Sequence, residues 1–223
     1  MDRNYLTGVA NPYNMAQPWK IYEKSVGMWV VESNRSVFSF PLSTEETDVK
    51  SVAREYFHYL DDIMVALRDL FAVTAIEYPQ GKLLVESPIP LYMDQSKDRL
   101  IIAWEDDTKK CESWAPGAIF SGLTEVVVDA GDKVVKSQLP NVLKMMFSGV
   151  PGSDQYALVL STNCDIWLDK TISGSDNSII GTTNSLRLKC ALEGIADALD
   201  GKVVHFASEF PGVEINEHGF GLK

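Results

Sequence analysis

The segment that follows Ser43 has the strongest helical pattern in the chain. Its apolar residues recur at steps of three and four from Val49 to Phe71, and charged residues fill the opposite face. This spacing places the apolar side chains on one face of a helix, which must then pack against another part of the protein. Ser43 and Glu46 have the spacing of a capping box. We therefore predict an amphipathic helix over about residues 45–71.

Short segments rich in β-branched and aromatic residues surround this helix. Residues 27–32 and 37–42 are separated by a polar turn and predict a β-hairpin. The other segments that predict strands are 73–78, 82–87, 99–105, 111–114, 124–129, 155–161, 165–168 and 202–208. Successive hairpins favour an antiparallel or mixed sheet over a regular alternation of parallel strand and helix.

Two further helices and one long loop are predicted in the second half of the chain. A short helix is predicted to begin near Pro140, because proline suits the first helical position. An amphipathic helix is predicted over about residues 185–199, with Ser185 as its cap and Gly201 as its stop signal. Residues 170–185 are rich in Ser, Gly, Asn, Asp and Thr and predict a polar loop.

These elements predict an α+β fold with two main amphipathic helices, at about 45–71 and 185–199. A chain of 223 residues without an internal repeat fits one domain, residues 1–223. An arrangement of two lobes, 20–115 and 124–210, is the alternative. Its boundary would lie at residues 115–123, where proline and glycine interrupt the pattern.

The charge of the chain bears on its partners. The sequence has 31 acidic and 20 basic residues and a net charge of −11. A negative field repels nucleic-acid phosphates and anionic membrane surfaces. The same field attracts and orients a basic protein. We therefore expect a protein partner with a basic surface, and neither nucleic acid nor a membrane.

The cysteines and the N-terminus indicate the compartment. Cys111, Cys164 and Cys190 are widely spaced, so neither a Cys-x-x-Cys zinc site nor a disulfide scaffold is predicted. The first residues lack the pattern of a signal peptide, and the apolar runs are far shorter than the ~20 residues that span a bilayer. The expectation is a cytoplasmic protein without a metal or cofactor.

Two groups of residues are candidates for catalysis. His58 can meet Asp61 and Asp62 on one helix face, and Cys164 could be activated by His205. The ordinary explanations are a solvated helix face and a small buried side chain. Because phosphate-binding and nucleophile-elbow motifs are missing from the sequence, no catalytic residue is assigned and the expectation leans against an enzyme.

Tryptophans beside acidic residues are typical of binding surfaces. An aromatic anchor with an acidic rim suits a basic protein partner. The alternative is that these tryptophans belong to the core at strand ends. We predict a partner-binding surface formed by Trp104, Glu105, Asp106, Asp107, Trp114, Ser175, Asp176 and Asn177.

One segment resembles a known family. The run LVLSTNCDIWL at residues 158–168, then Asp176 and Asn177, then a leucine-rich helix, resembles segments of bacterial immunity-type proteins of polymorphic toxin systems. The resemblance covers about residues 158–200. It implies a cytoplasmic, often acidic, non-catalytic inhibitor of a cognate toxin. Two alternatives remain open: a hydrolase with an atypical carboxylate or Cys/His site, and a structural component of a phage or other assembly.

Overall fold

The computed structural model describes residues 17–34, 49–78, 82–87, 89–91, 94–108, 115–129, 134–150 and 155–221. The helices in these ranges are α1 (Val49–Leu67), α2 (Asp94–Thr108) and α3 (Ser178–Ala198). The strands are β1 (Gly27–Ser33), β2 (Phe71–Tyr78), β3 (Lys82–Glu86), β4 (Gly117–Asp129), β5 (Val134–Gly149), β6 (Tyr156–Thr162), β7 (Gly201–Ala207), β8 (Ile215–Asn216) and β9 (Gly219–Phe220).

Seven of the strands form one antiparallel sheet, in the order β3-β2-β4-β5-β6-β1-β7. The α+β fold is therefore confirmed. β1 lies between β6 and β7, so the start of the described chain joins strands from its second half. Residues 117–123, within the predicted boundary between lobes, lie in β4, which pairs with both β2 and β5.

One face of the sheet carries the helices and the core. Alternate residues of β1 and β6 are buried, as expected for strands covered on one face. Tyr56 of α1 is fully buried, and its hydroxyl donates to the carbonyl of Phe147 on β5 at 2.8 Å. Its ring also contacts Tyr156 of β6 and Trp104 of α2. α1, α2 and the centre of the sheet therefore share one aromatic core.

Several of the predicted elements are confirmed. The described part of the first helix is α1, which ends at Leu67 because Phe71 begins β2. The predicted strands at 73–78, 82–87, 155–161 and 202–208 correspond to β2, β3, β6 and β7 within one or two residues. The predictions at 37–42, at Ser43 and Glu46, and at 111–114 lie outside the described residues.

The predicted strand at 99–105 was wrong, because these residues belong to α2. Leu100 and Trp104 are fully buried, whereas Arg99 and Asp106 are exposed. That burial follows the helical period, in which residues four apart share a face. The short run of apolar residues is compatible with either structure by itself, and packing against α1 favours the helix.

The predicted helix near Pro140 was also wrong, because the segment lies in β5. The ladder between β4 and β5 shifts register between Ser121 and Leu123, and Asn141 has a positive φ of 57°. Pro140 lies at this irregularity, where a missing backbone N–H does not interrupt a regular ladder. From Leu143 onwards, buried residues alternate with exposed or half-buried ones, as in a strand covered on one face.

α3 begins at Ser178, seven residues before the predicted helix, so the predicted loop at 170–185 is shorter than expected. Asn184 is fully buried and bonds the backbone of Val127 on β4 twice. Its Oδ1 accepts from the Val127 N–H and its Nδ2 donates to the Val127 carbonyl, both at 2.8 Å. Ser185 is therefore an interior residue of the helix and not its cap.

The Asn184 contact occurs where β4 extends past its neighbour. β2 pairs with β4 only as far as Thr124. Beyond that point Arg187 donates to the Glu125 carbonyl at 2.6 Å and forms an ion pair with the Glu125 carboxylate at 2.8 Å. Side chains of α3 thus take the place of a neighbouring strand, which explains why polar residues lie inside this helix.

Candidate functional site

The loop between β6 and α3 contains three of the predicted binding residues. The segment 165–168, predicted as a strand, starts with a 3-10 turn at Asp165–Trp167. We call residues 168–177, which follow this turn, the 168–177 loop. Thr171, which is buried, donates its N–H to the Ser175 carbonyl at 3.0 Å, and the Ser175 N–H donates to the Thr171 Oγ1 at 3.0 Å. Gly174 has a φ of +90°, which favours glycine.

A buried carboxylate holds this loop against the start of the described chain. Asp165 is fully buried. Its Oδ2 accepts from the Ile172 N–H at 2.9 Å and from the Tyr22 hydroxyl at 2.8 Å, and its Oδ1 accepts from the Lys20 N–H at 2.6 Å. Burial and the hydrogen bond to Asp165 raise the pKa of Tyr22, so the phenol remains a donor. The carboxylate thereby joins two segments that are far apart in the sequence.

Asn177 is a second anchor rather than a contact residue. Its side chain is buried, and its Nδ2 donates to the carbonyls of Leu168 at 2.8 Å and Ile166 at 3.3 Å. Its own N–H donates to the Asp169 carbonyl at 2.8 Å. Asn177 was predicted to contact a partner, and the structure instead places its side chain inside the loop, with the Nδ2 bonded to the loop backbone.

Ser175 and Asp176 are exposed at the end of the loop. The Ser178 N–H donates to Asp176 Oδ1 at 3.1 Å, and this bond lowers the pKa of the Asp176 carboxyl. Asp176 is thus ionised and held in place at neutral pH. Ile179 follows in the first turn of α3, and 72% of it is exposed. A fixed polar loop beside an apolar side chain has the composition of a protein-binding surface.

The 168–177 loop also forms one wall of an open cleft. The cleft has a volume of about 530 Å³, and residues 211–214 form the opposite wall. Lys170, Asp169 and Glu214 contribute both signs of charge to its lining. The sequence did not indicate this cleft, because its two walls are about 40 residues apart along the chain.

Trp104 lies in the core, so it is not an exposed anchor. It is fully buried, its Nε1 donates to the Gly117 carbonyl at 3.1 Å, and its ring stacks on Phe57. Asp106 is exposed at the end of α2, whereas Asp107 accepts a hydrogen bond from the Tyr78 hydroxyl.

The residues of the predicted binding surface lie on two different elements. Glu105, Asp106 and Asp107 belong to α2, whereas Ser175, Asp176 and Asn177 belong to the 168–177 loop. Glu105 is half-buried near the end of α2. The predicted contact Trp114 lies outside the described residues.

The structure does not join the first group of catalytic candidates into a metal site. His58, Asp61 and Asp62 are exposed on α1, and Asp61 is paired with Lys97 at 3.2 Å. Within the described ranges, no three His, Cys, Asp or Glu side chains are grouped so that they could hold a metal ion.

Cys164 has the environment of a structural cysteine. It is fully buried two residues after β6, its backbone forms an isolated antiparallel β-bridge with Ile21, and burial raises the pKa of its thiol. A thiol needs a lowered pKa to act as a nucleophile at neutral pH. His205 is exposed on β7, an edge strand, and Cys190 is exposed on α3.

We expect these two cysteines to differ strongly in reactivity. In the folded protein at mildly alkaline pH, iodoacetamide should modify Cys190 quickly and Cys164 only after unfolding, because only Cys190 is accessible. Peptide mass spectrometry over time measures each site separately, and labelling in denaturant supplies the unprotected rate. Equal rates at the two cysteines in the folded protein would contradict this assignment.

The sequence did not single out Ile179 as a functional residue. A signal was nevertheless present, since residues 178–186 contain no charged side chain. An α-helix that lies on a protein surface normally carries charges on its outer face. The other residues that the sequence did not identify, Asp165 and Thr171, act by holding the loop.

The helices of the described ranges include none that is both long and apolar enough to cross a membrane. Comparisons of the chain with protein-family models, curated proteins and solved structures each return no match.

Proposed function

We propose that this chain is a cytoplasmic, non-catalytic binding protein that neutralises a partner protein, as an immunity protein neutralises its cognate toxin. The observation that carries the proposal is the rigid 168–177 loop. Asp165, Thr171 and Asn177 hold its backbone, while Ser175 and Asp176 remain exposed. A loop already ordered in its binding conformation avoids much of the entropy cost of association.

The charge of the protein supports a basic partner. A net charge of −11 produces a negative field that increases the rate of encounter with a cationic protein. Asp176 adds a fixed carboxylate to the loop, with Ile179 beside it as an apolar contact. The resemblance of residues 158–200 to immunity-type proteins covers this same loop and helix. Together these features favour a toxin as the partner.

The direct test uses the protein encoded by the gene immediately upstream. We expect that protein to stop bacterial growth when expressed alone, and co-expression of this chain to restore growth. The purified proteins should form a stable complex in isothermal titration calorimetry. An upstream protein that is harmless and does not bind, or one that remains toxic in the presence of this chain, would contradict the proposal.

A reversal of charge in the loop should weaken the complex. Asp176→Arg is expected to raise the Kd at least about tenfold, because it replaces an exposed carboxylate in the contact surface with a cation. Asp98→Arg, an exposed position on α2, makes the same change of net charge and is the matched control. Calorimetry measures both variants. An equal loss of affinity in the two variants would indicate that net charge, and not the loop, governs binding.

A further inference from the structure

A short segment at the start of the described chain lies against the residues that lead into the 168–177 loop. Residues 17–22, which we call the strap, belong to no helix or strand and form a single β-bridge, between Ile21 and Cys164. Five of these six residues are half-buried and Lys20 is exposed. Segments with few fully buried contacts open more easily than the core of a protein. The position of the strap therefore depends on its specific hydrogen bonds.

Those hydrogen bonds lead to residues 163–165. The Tyr22 N–H donates to the Asn163 carbonyl at 2.8 Å, and the Asp165 N–H donates to the Lys20 carbonyl at 3.2 Å. The Lys20 N–H and the Tyr22 hydroxyl donate to the two oxygens of the Asp165 carboxylate, at 2.6 Å and 2.8 Å. Two of these four bonds therefore converge on one buried carboxylate.

The Asp165 carboxylate is shared between the strap and the loop. Its Oδ2 accepts from the Tyr22 hydroxyl and also from the Ile172 N–H of the loop, at 2.9 Å. A buried carboxylate needs hydrogen bonds to compensate for its lost hydration. Release of the strap removes two donors from Asp165 at once, and water can then compete with the Ile172 N–H for the carboxylate. An open strap therefore weakens the bond that holds the loop.

The ring of Tyr22 lies beside the opposite wall of the cleft. It contacts the ring of Phe210 edge to face, with 4.9 Å between the ring centroids. Phe210 directly precedes residues 211–214, which form that wall. Ser25, shortly after the strap, donates its N–H to the Glu209 carboxylate at 2.5 Å and accepts from the Glu209 N–H at 3.2 Å. Tyr22 therefore contacts the residues that lead into both walls.

We propose that the strap controls the order of the 168–177 loop: strap and loop open and close as one unit, and Tyr22 is the positioning residue that couples them. The inference rests on the proposed function only in treating the loop as the surface that a partner contacts. It adds a regulatory element to that surface. Displacement of the strap disorders the loop, and a partner that stabilises the loop must stabilise the docked strap by the same free energy.

Hydrogen exchange measured by NMR on the full chain alone tests this coupling. Tyr22→Phe removes the hydroxyl and keeps the ring. The amides of Lys20, Ile172 and Ser175 should exchange at least about tenfold faster in the variant, because a hydrogen bond to a charged group contributes on that scale to the opening equilibrium. Ser175 is the decisive position. Its N–H donates to Thr171 within the loop, so only a joint opening transmits the loss of the hydroxyl to it.

Tyr78→Phe is the matched control. The Tyr78 hydroxyl also donates to a carboxylate, that of Asp107, and Tyr78 lies on β2, which β4 and β5 separate from β6. This variant should leave the same amides within about twofold of their wild-type rates, as expected for a distant site. The Val213 amide, in the opposite wall, is an internal control, because the ring contact with Phe210 remains in Tyr22→Phe. It should exchange at the wild-type rate.

Trypsin supplies a second measurement of the same opening. Lys20 in the strap and Lys170 in the loop are both exposed. Proteolysis of a transiently open segment follows the population of the open form. Cleavage after Lys170 and after Lys20 should therefore accelerate together, at least about tenfold, in Tyr22→Phe and not in Tyr78→Phe.

Three results would overturn the proposal: no faster exchange in Tyr22→Phe, faster exchange that spares Ser175, or equal effects of Tyr22→Phe and Tyr78→Phe. The last would show a general loss of stability instead of a joint opening. If the joint opening is observed but the upstream protein is neither bound nor neutralised, the proposed function alone is wrong. If the upstream protein is neutralised but the Ser175 amide keeps its wild-type rate in Tyr22→Phe, the role of the strap alone is wrong.

Discussion

Trp104→Ala is expected to lower the free energy of unfolding by about 3–5 kcal/mol, as for other fully buried large aromatic residues. The indole is fully buried and packs against Tyr56 and Phe57 of α1. Its Nε1 is also the donor to the Gly117 carbonyl at 3.1 Å. The substitution leaves a cavity between α1 and α2 and removes the donor of a buried acceptor.

Urea denaturation of the wild type and the variant measures this difference. Trp104→Phe is the matched control: it keeps most of the ring contacts and loses the N–H, so it should cost about 1–3 kcal/mol. The opposite expectation applies to an exposed contact residue, whose replacement changes stability by about 0.5 kcal/mol or less. An unfolding free energy that Trp104→Ala leaves unchanged would therefore contradict the position of Trp104 in the core.

Asn184→Ala is expected to lower the free energy of unfolding by about 2–4 kcal/mol, because a buried backbone donor and a buried acceptor each lose their partner. Both groups belong to Val127, on the part of β4 that extends past β2. Alanine supplies neither bond.

Hydrogen exchange distinguishes this local cause from a general loss of stability. The Val127 amide should exchange faster in Asn184→Ala even where global unfolding is too rare to explain it. Thr183→Ala is the neighbouring control, since the Thr183 hydroxyl bonds the Ile179 carbonyl of its own helix and, within the described residues, no other element. It should change stability by about 0.5 kcal/mol or less. Equal effects of the two substitutions would show that the Asn184 bonds contribute little.

The elements that the sequence predicted well have a clear local period. The helix predicted over 45–71 has eleven apolar residues at steps of three and four, of which nine lie in α1, and one face of α1 is buried as that spacing requires. β6 and β7 are short segments of β-forming residues bounded by turn residues, and their predicted positions were within one or two residues. In these segments the local sequence and the tertiary contacts favour the same secondary structure, so the prediction from the sequence agreed with the fold.

The elements that were predicted wrongly depend on distant partners. The apolar residues around Leu100 and Trp104 show no clear period in the sequence. Packing against α1, for example of Trp104 on Tyr56, favours the helix. The polar residues that begin α3 read as a loop, because their partner on β4 is 57 residues away in the chain. Propensity is a weak guide wherever such long-range bonds compensate for it.

The candidate site shows the same difference between features set by the local sequence and features set by distant contacts. The sequence alone determined that the protein is acidic, that its fold is α+β and that a polar segment containing Ser175 and Asp176 precedes a helix. Only the tertiary structure decided which side chains face solvent, so that Asn177 is buried against the loop backbone and Ile179 is exposed. The physical reason is range: periodicity and turn chemistry act between residues within a few positions of one another, whereas burial depends on what the rest of the chain places alongside.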